Sequence, residues 1–233
     1  MTDQAPFQSV RAWARARGVC VPEASGEGIT VALVDDGVVR RIPPLRDAHV
    51  VARDFVRGGH GGAHGTLSAS ILVGRCEGYL GLVPDARLLA ARVRGGRDGS
   101  APLQAALRWL LRERPDVVCI PMGRPSSCPR TSALLRRLRD QGAQIVAAAG
   151  NRDPQQRLFP ASSRHVTAVS ALDDAGAVMP GCYGGDGARF APGREVPAWG
   201  PDGPCTFSRT SAATTLVAGL EAAAISERGR QAS

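Results

Sequence analysis

Three short segments carry side chains that could together attack a carbonyl group. Asp35 follows the apolar run Ile29-Thr-Val-Ala-Leu-Val34 and opens Asp35-Asp36-Gly37, which puts a carboxylate at the end of a strand-like segment. The same string is also an ordinary turn. His64 begins His64-Gly-Thr-Leu-Ser-Ala69, a helix-like stretch of small residues after a glycine-rich loop. An imidazole there can act as a base, and equally as a cap or a surface group; His49, His60 and His165 have no comparable setting. Ser211 lies at the start of a second small-residue helix, Thr210-Ser-Ala-Ala-Thr-Thr-Leu-Val-Ala-Gly219. A serine at that place is most often an N-cap. A nucleophile can use it too, because free amides and the helix dipole stabilise developing negative charge.

As a set the three gain weight: they occur in the order Asp, His, Ser, with Ala147-Ala-Ala-Gly150-Asn151 between the last two. This combination resembles the subtilisin-like serine proteases, the subtilases, from Gly28 to Gly219. Val31-Ala-Leu-Val-Asp35-Asp36-Gly37 is similar to the family's aspartate motif, His64-Gly65-Thr66 to its histidine motif and Thr210-Ser211-Ala212-Ala213 to its serine motif. Gly81-Leu-Val-Pro84-Asp-Ala86 resembles the family's segment leading into a core strand, and Phe159-Pro160-Ala161 its proline turn, with a cis peptide bond expected.

The resemblance implies a serine endopeptidase. Ser211 is the nucleophile, His64 the base, Asp35 its orienting carboxylate and Asn151 an oxyanion donor beside the Ser211 N–H. It also implies an extended substrate held between two edges, Gly99-Ser100-Ala101 and Pro121-Met122-Gly123. The specificity pocket is expected to be walled by Ala148 to Gly150 and floored near Ser170, with Arg152 at its rim. That arginine favours neutral or acidic residues before the cut; an Arg152 turned to solvent would exert no such preference.

The sequence departs from the family pattern in several places. Arg209 stands where the serine motif has glycine, Thr215 where the same helix has proline, and Pro121 where the substrate edge has serine. Arg75-Cys-Glu-Gly-Tyr79 is shorter than the family's tight calcium loop and offers one carboxylate, Glu77, where a hard cation wants six or more oxygens; no metal or other cofactor is expected. Only a short segment precedes the aspartate motif, so the expectation is a chain that folds without a propeptide or with the help of a partner protein.

The elements that must position these residues alternate. Strand-like runs at Ile29–Val34, Val50–Val51, Leu88–Val93, Val117–Ile120, Ile145–Ala148 and Val166–Val169 are separated by turns or helix-like stretches. This predicts an α/β fold of three layers, a mostly parallel central sheet with helices on both faces, as the subtilisin-like resemblance also implies. Leu103, Leu107, Leu110 and Leu111 form one helical stripe within Leu103–Arg114, ended by Pro115. Leu134, Leu135 and Leu138 form another within Thr131–Gln141, with Gly142 where a helix C-terminus favours a left-handed residue. Residues 1–233 read as a single peptidase domain, with an N-terminal segment 1–27 and a disordered tail 228–233.

Composition narrows the setting. The 233 residues carry a net charge of +8, and all 29 basic residues are arginines scattered along the chain. GC-rich coding accounts for such an excess, and no nucleic-acid motif accompanies it, so nucleic acid is not expected as a partner; a basic surface would still favour acidic peptide or precursor-peptide substrates. No signal peptide or membrane span is evident, and the six cysteines lack zinc spacing. The expected setting is cytoplasmic, with free thiols. The activities that remain are peptide processing such as leader removal, transpeptidation or macrocyclisation by the same triad, and a peptide-binding pseudoprotease.

Overall fold

The computed structural model describes residues 9–58, 62–94 and 100–231. In chain order the elements are α1 (Val10–Ala16), β1 (Thr30–Asp35), β2 (Val50–Asp54), α2 (Ala63–Val73), β3 (Arg75–Cys76), β4 (Tyr79–Leu80), β5 (Arg87–Arg92), α3 (Ala101–Glu113), β6 (Val117–Ile120), α4 (Pro129–Asp140), β7 (Gln144–Ala148), β8 (Thr167–Leu172), β9 (Ala188–Pro192), β10 (Val196–Gly200), β11 (Gly203–Phe207) and α5 (Arg209–Gln231).

Seven strands form one sheet in the order β2-β5-β1-β6-β7-β8-β9, and every pairing is parallel. The six strand-like runs of the sequence all lie in it, because strands covered on both faces read as continuous apolar segments. On one face Val31, Leu33, Leu88 and Val117 pack with residues of α1, α2 and α5. On the other Ala32, Val34, Leu89 and Val118 pack with α3 and α4. The fold is thus the three-layer α/β arrangement expected. Its seventh strand and the β10–β11 hairpin come from a region the apolar runs did not flag.

β1 sits inside the sheet, with β5 and β6 on either side, and Asp35 is its last residue, opposite Arg92. In a parallel sheet the loops that leave the carboxyl ends of the strands share one rim, which is where ligands bind. The loops after β1, β6 and β7 converge there with the starts of α2 and α5. Gly142 has a φ of +99° beyond α4, as the sequence indicates, and the Phe159–Pro160 bond is cis.

α5 continues to Gln231, past the start of the expected tail at residue 228, and Arg230 pairs with Glu27 at 3.1 Å, tying the end of the helix to the N-terminal segment. Arg75–Leu80 is a two-stranded hairpin with Glu77 and Gly78 at its turn. No helix among the described residues is long and apolar enough to cross a membrane.

The N-terminal segment is held by a buried cation. Arg11, 7% exposed, donates from Nη1 to the carbonyls of Ala24 (3.1 Å) and Leu82 (2.9 Å) and from Nη2 to that of Pro22. An arginine that caps several carbonyls leaves each of them unsatisfied when truncated. Arg11→Ala is expected to lower unfolding stability in urea by about 1–3 kcal/mol, without altering the site at the far rim of the sheet.

Candidate active site

Asp35 is buried to 1% exposure, and a buried carboxylate needs donors. His64 Nδ1 lies 2.8 Å from both its oxygens, the Asp36 N–H donates to Oδ1 at 2.8 Å, and the Ser68 hydroxyl reaches Oδ2 at 3.4 Å. Across the imidazole, Nε2 is 3.1 Å from the Ser211 Oγ. The Ser211 hydroxyl has a second acceptor, the Pro121 carbonyl, at 2.9 Å. Phe207 stands edge-on to the imidazole, with centroids 5.1 Å apart and planes at 87°. The three residues singled out in the sequence therefore form one continuous hydrogen-bonded run.

The sequence around His64 explains how α2 comes so close to the aspartate loop. A Cβ at Gly65 would lie 2.1 Å from the Gly37 carbonyl oxygen, so a side chain there is excluded. The Asp36 carboxylate accepts the Gly65 N–H at 2.7 Å, satisfying one of the free amides at the helix start. Thr66 completes the seam: its hydroxyl donates to the Gly62 carbonyl and accepts the Val39 N–H. Asp35, Asp36 and His64 also form a cluster of metal-ligand types with donor atoms within 4.8 Å, but these atoms are already engaged with one another and with the Gly65 amide.

Ser211 is the third residue of α5, so its N–H has no partner within the helix. Thr215 donates its hydroxyl to the Ser211 carbonyl at 2.9 Å, a back-bond that the proline usual at this position in the family cannot make. Asn151 is fixed by its side-chain carbonyl: Oδ1 accepts from the Thr210 N–H (3.1 Å), the Thr210 hydroxyl (2.9 Å) and Cys182 Sγ (3.3 Å). With that end occupied, the amide NH₂ is left for the cleft.

The cleft, about 270 Å³, is lined by His64, Ser211 and Asn151 together with Met122, Gly123, Ala148, Gly150 and Arg152, all named from the sequence. Arg94 joins them and also lines a neighbouring cavity of about 200 Å³ walled by Leu103, Ile120 and Phe159. Three sequence expectations do not hold here. Ser170 is fully buried in β8, its hydroxyl donating to the Tyr183 carbonyl, and does not line the cleft. Ala101 opens α3, and Ser100, with φ −98° and ψ −9°, accepts from Gln104 Nε2, so neither forms an extended edge. Gly99 lies outside the described residues.

Arg209, the residue that departs furthest from the family pattern, has a φ of +74°, a left-handed conformation that costs a non-glycine residue about 1–3 kcal/mol. Its guanidinium is absent from the cleft lining, and Nη2 instead donates to the carbonyls of Asn151 (3.0 Å) and Pro180 (2.8 Å). The supporting roles of Thr210, Cys182, Ser68 and Phe207 were not read from sequence. Thr210 alone carried a signal, its place beside Ser211.

Burial opposes charge on His64, but the Asp35 hydrogen bond and charge overcome it and raise the imidazole pKa above its ordinary 6.5. Burial raises the Asp35 carboxyl pKa, and the His64 hydrogen bond draws it part of the way back. An imidazole held at both nitrogens between a carboxylate and a hydroxyl can take the hydroxyl proton as oxygen attacks a carbonyl.

Comparison with known proteins agrees with this geometry. Residues 26–231 match the profile of the Subtilase family, peptidase S8, and the chain belongs to that family. It is 26% identical over 165 residues to the major intracellular serine protease of Bacillus subtilis (strain 168), covering 63% of this chain and 52% of that one. The chain spans about half the length of the curated relatives it matches first. Among solved structures it resembles the patellamide maturation protease PatA, with a TM-score of 0.79, 26% identity and coverage of 88% and 81%. It shares its fold with the PatG macrocyclase in complex with peptide, with a TM-score of 0.81, 17% identity and coverage of 90% and 80%.

Two outcomes check the site. Followed by NMR, the His64 imidazole should titrate above 6.5 and shift downward in Asp35→Asn, because burial then acts without the carboxylate. The base is competent only when neutral, so activity should fall as pH drops through that raised value. Gly65→Ala should push α2 off Gly37 and separate His64 from Asp35, lowering Ser211 reactivity toward a fluorophosphonate by about a hundredfold.

Proposed function

We propose that this chain is a serine endopeptidase working through an acyl-enzyme, acting as a single peptidase unit. The observation that carries the reading is the unbroken run Asp35–His64–Ser211 at the wall of a cleft that Asn151 also lines. Ser211 Oγ attacks the scissile carbonyl while His64 Nε2 takes its proton. Asp35 holds the imidazole by Nδ1 and stabilises its charge. The Asn151 amide and the Ser211 N–H receive the oxyanion. His64 then returns the proton to the departing amine, and water releases the acyl group.

The substrate is an extended peptide lying along Pro121–Gly123, which offers backbone groups to any sequence. Arg94 and Arg152, both exposed on the cleft, favour neutral or acidic side chains near the cut over basic ones. A net charge of +8 draws acidic chains to the enzyme by long-range attraction. We take processing of precursor peptides in natural-product maturation as the role, supported by the likeness to the patellamide maturation protease. A cytoplasmic setting is supported by the six free thiols and by the likeness to an intracellular protease. Arg209 does not argue for a closed pseudoprotease, since its side chain turns away from the cleft.

A fluorophosphonate probe should label Ser211, and Ser211→Ala should abolish both labelling and cleavage; absence of labelling in folded protein would sink the reading. Asn151→Ala should lower kcat by about 10²–10³, the size known for this donor in subtilisin, with KM little changed. A library of quenched peptides should show acidic or neutral residues before the cut, and a profile dominated by lysine or arginine would overturn the assignment of Arg94 and Arg152.

A further inference from the structure

Arg209 stands directly before Thr210 and Ser211 in a left-handed conformation that suits glycine, the residue that the resemblance to subtilases leads one to expect there. Glycine would adopt that backbone without strain. The arginine brings a side chain that glycine lacks, and the structure shows where it goes.

Its backbone is anchored first, the Arg209 N–H donating to the Gly193 carbonyl. From there the guanidinium passes outside the cleft, and Nη2 bridges the carbonyls of Asn151 and Pro180. The Pro180 loop is shaped to receive it: Gly181, at φ +76°, comes so close that a Cβ would lie 3.0 Å from the Asn151 carbonyl oxygen and 3.1 Å from Nη2. The next residue, Cys182, bonds the Asn151 side chain. Asn151 is thus gripped at two points, its main-chain carbonyl by Arg209 and its side-chain carbonyl by Thr210 and Cys182. Two of these three partners are the residues just ahead of Ser211, so the proposed oxyanion donor is tied directly to the segment that carries the nucleophile.

We propose that Arg209 is a positioning residue for the oxyanion site: by fixing the Asn151 main chain, its guanidinium aims the Asn151 amide into the cleft. This rests on the oxyanion role of Asn151 proposed above. A charge-assisted bond to a carbonyl is stronger than a neutral one. Arg209 touches no reacting atom. Its effect passes through Asn151 and must vanish when the Asn151 amide is removed.

The test uses the whole chain, a fluorophosphonate that forms a tetrahedral adduct on Ser211, and thermal melting. Arg209→Gly should slow labelling by about tenfold, while Tm stays level or rises as backbone strain is relieved. Arg209→Lys, which keeps a cationic donor, should recover part of the rate. In an Asn151→Ala background, Arg209→Gly should have no further effect, because coupled residues are not additive. Labelling of Arg209→Gly at the wild-type rate overturns the inference. An equal loss in both backgrounds does so too, as does a loss of rate that follows a fall in Tm without rescue by lysine. If Asn151→Ala itself labels at the wild-type rate, the oxyanion assignment fails, and the positioning role falls with it.

Discussion

A single carboxylate buried at the end of the central strand sets the terms for the rest of this structure. Asp35 has lost nearly all contact with water, and keeping a charge there requires donors from every side. His64 supplies the strongest, and to bring it within 2.8 Å helix α2 must lean on the aspartate loop so closely that Gly65 has no room for a methyl group. The strand, the loop and the helix are thus a single unit. The parallel sheet provides the fixed end of β1, and the packing of α2 and α5 on one face of the sheet brings base and hydroxyl together.

Much of this was legible in the sequence, for reasons that can be named. The six strand segments are buried on both faces and therefore read as apolar runs. Asp35, His64, Asn151 and Ser211 fall where strands end or helices start, and their order is informative even though each alone is ambiguous. The direction of Ser170 is hidden in the sequence for the complementary reason. Four successive residues of β8 are buried, so no alternation indicates which side chain turns toward the cleft. The start of α3 at Ala101 did carry a signal, Pro102 in the first helical turn. So did the β10–β11 hairpin, whose turn contains Pro201-Asp202-Gly203.

The residues that support the oxyanion site could not be read in this way. Cys182 meets Asn151 across 31 positions of sequence and Arg209 meets it across 58, and nothing local marks either encounter. In sequence Arg209 is only a departure from the family pattern, and its consequence depends on the side chain's direction, which is a property of the folded site. The unusual residue next to Ser211 turns out to lie outside the cleft, so the departure from the family pattern and an open site coexist.

The Ser211 hydroxyl shares its one proton between two oxygen- and nitrogen-centred acceptors, Pro121 O at 2.9 Å and His64 Nε2 at 3.1 Å. The other groups each have several contacts: the carboxylate its donors, the imidazole Asp35 and Phe207, and Asn151 its three partners. The hydroxyl is the rotor. Turning about the Cβ–Oγ bond, a motion of picoseconds to nanoseconds for such groups, presents that proton to one acceptor or the other. Exchanging one acceptor for the other requires no movement of the backbone.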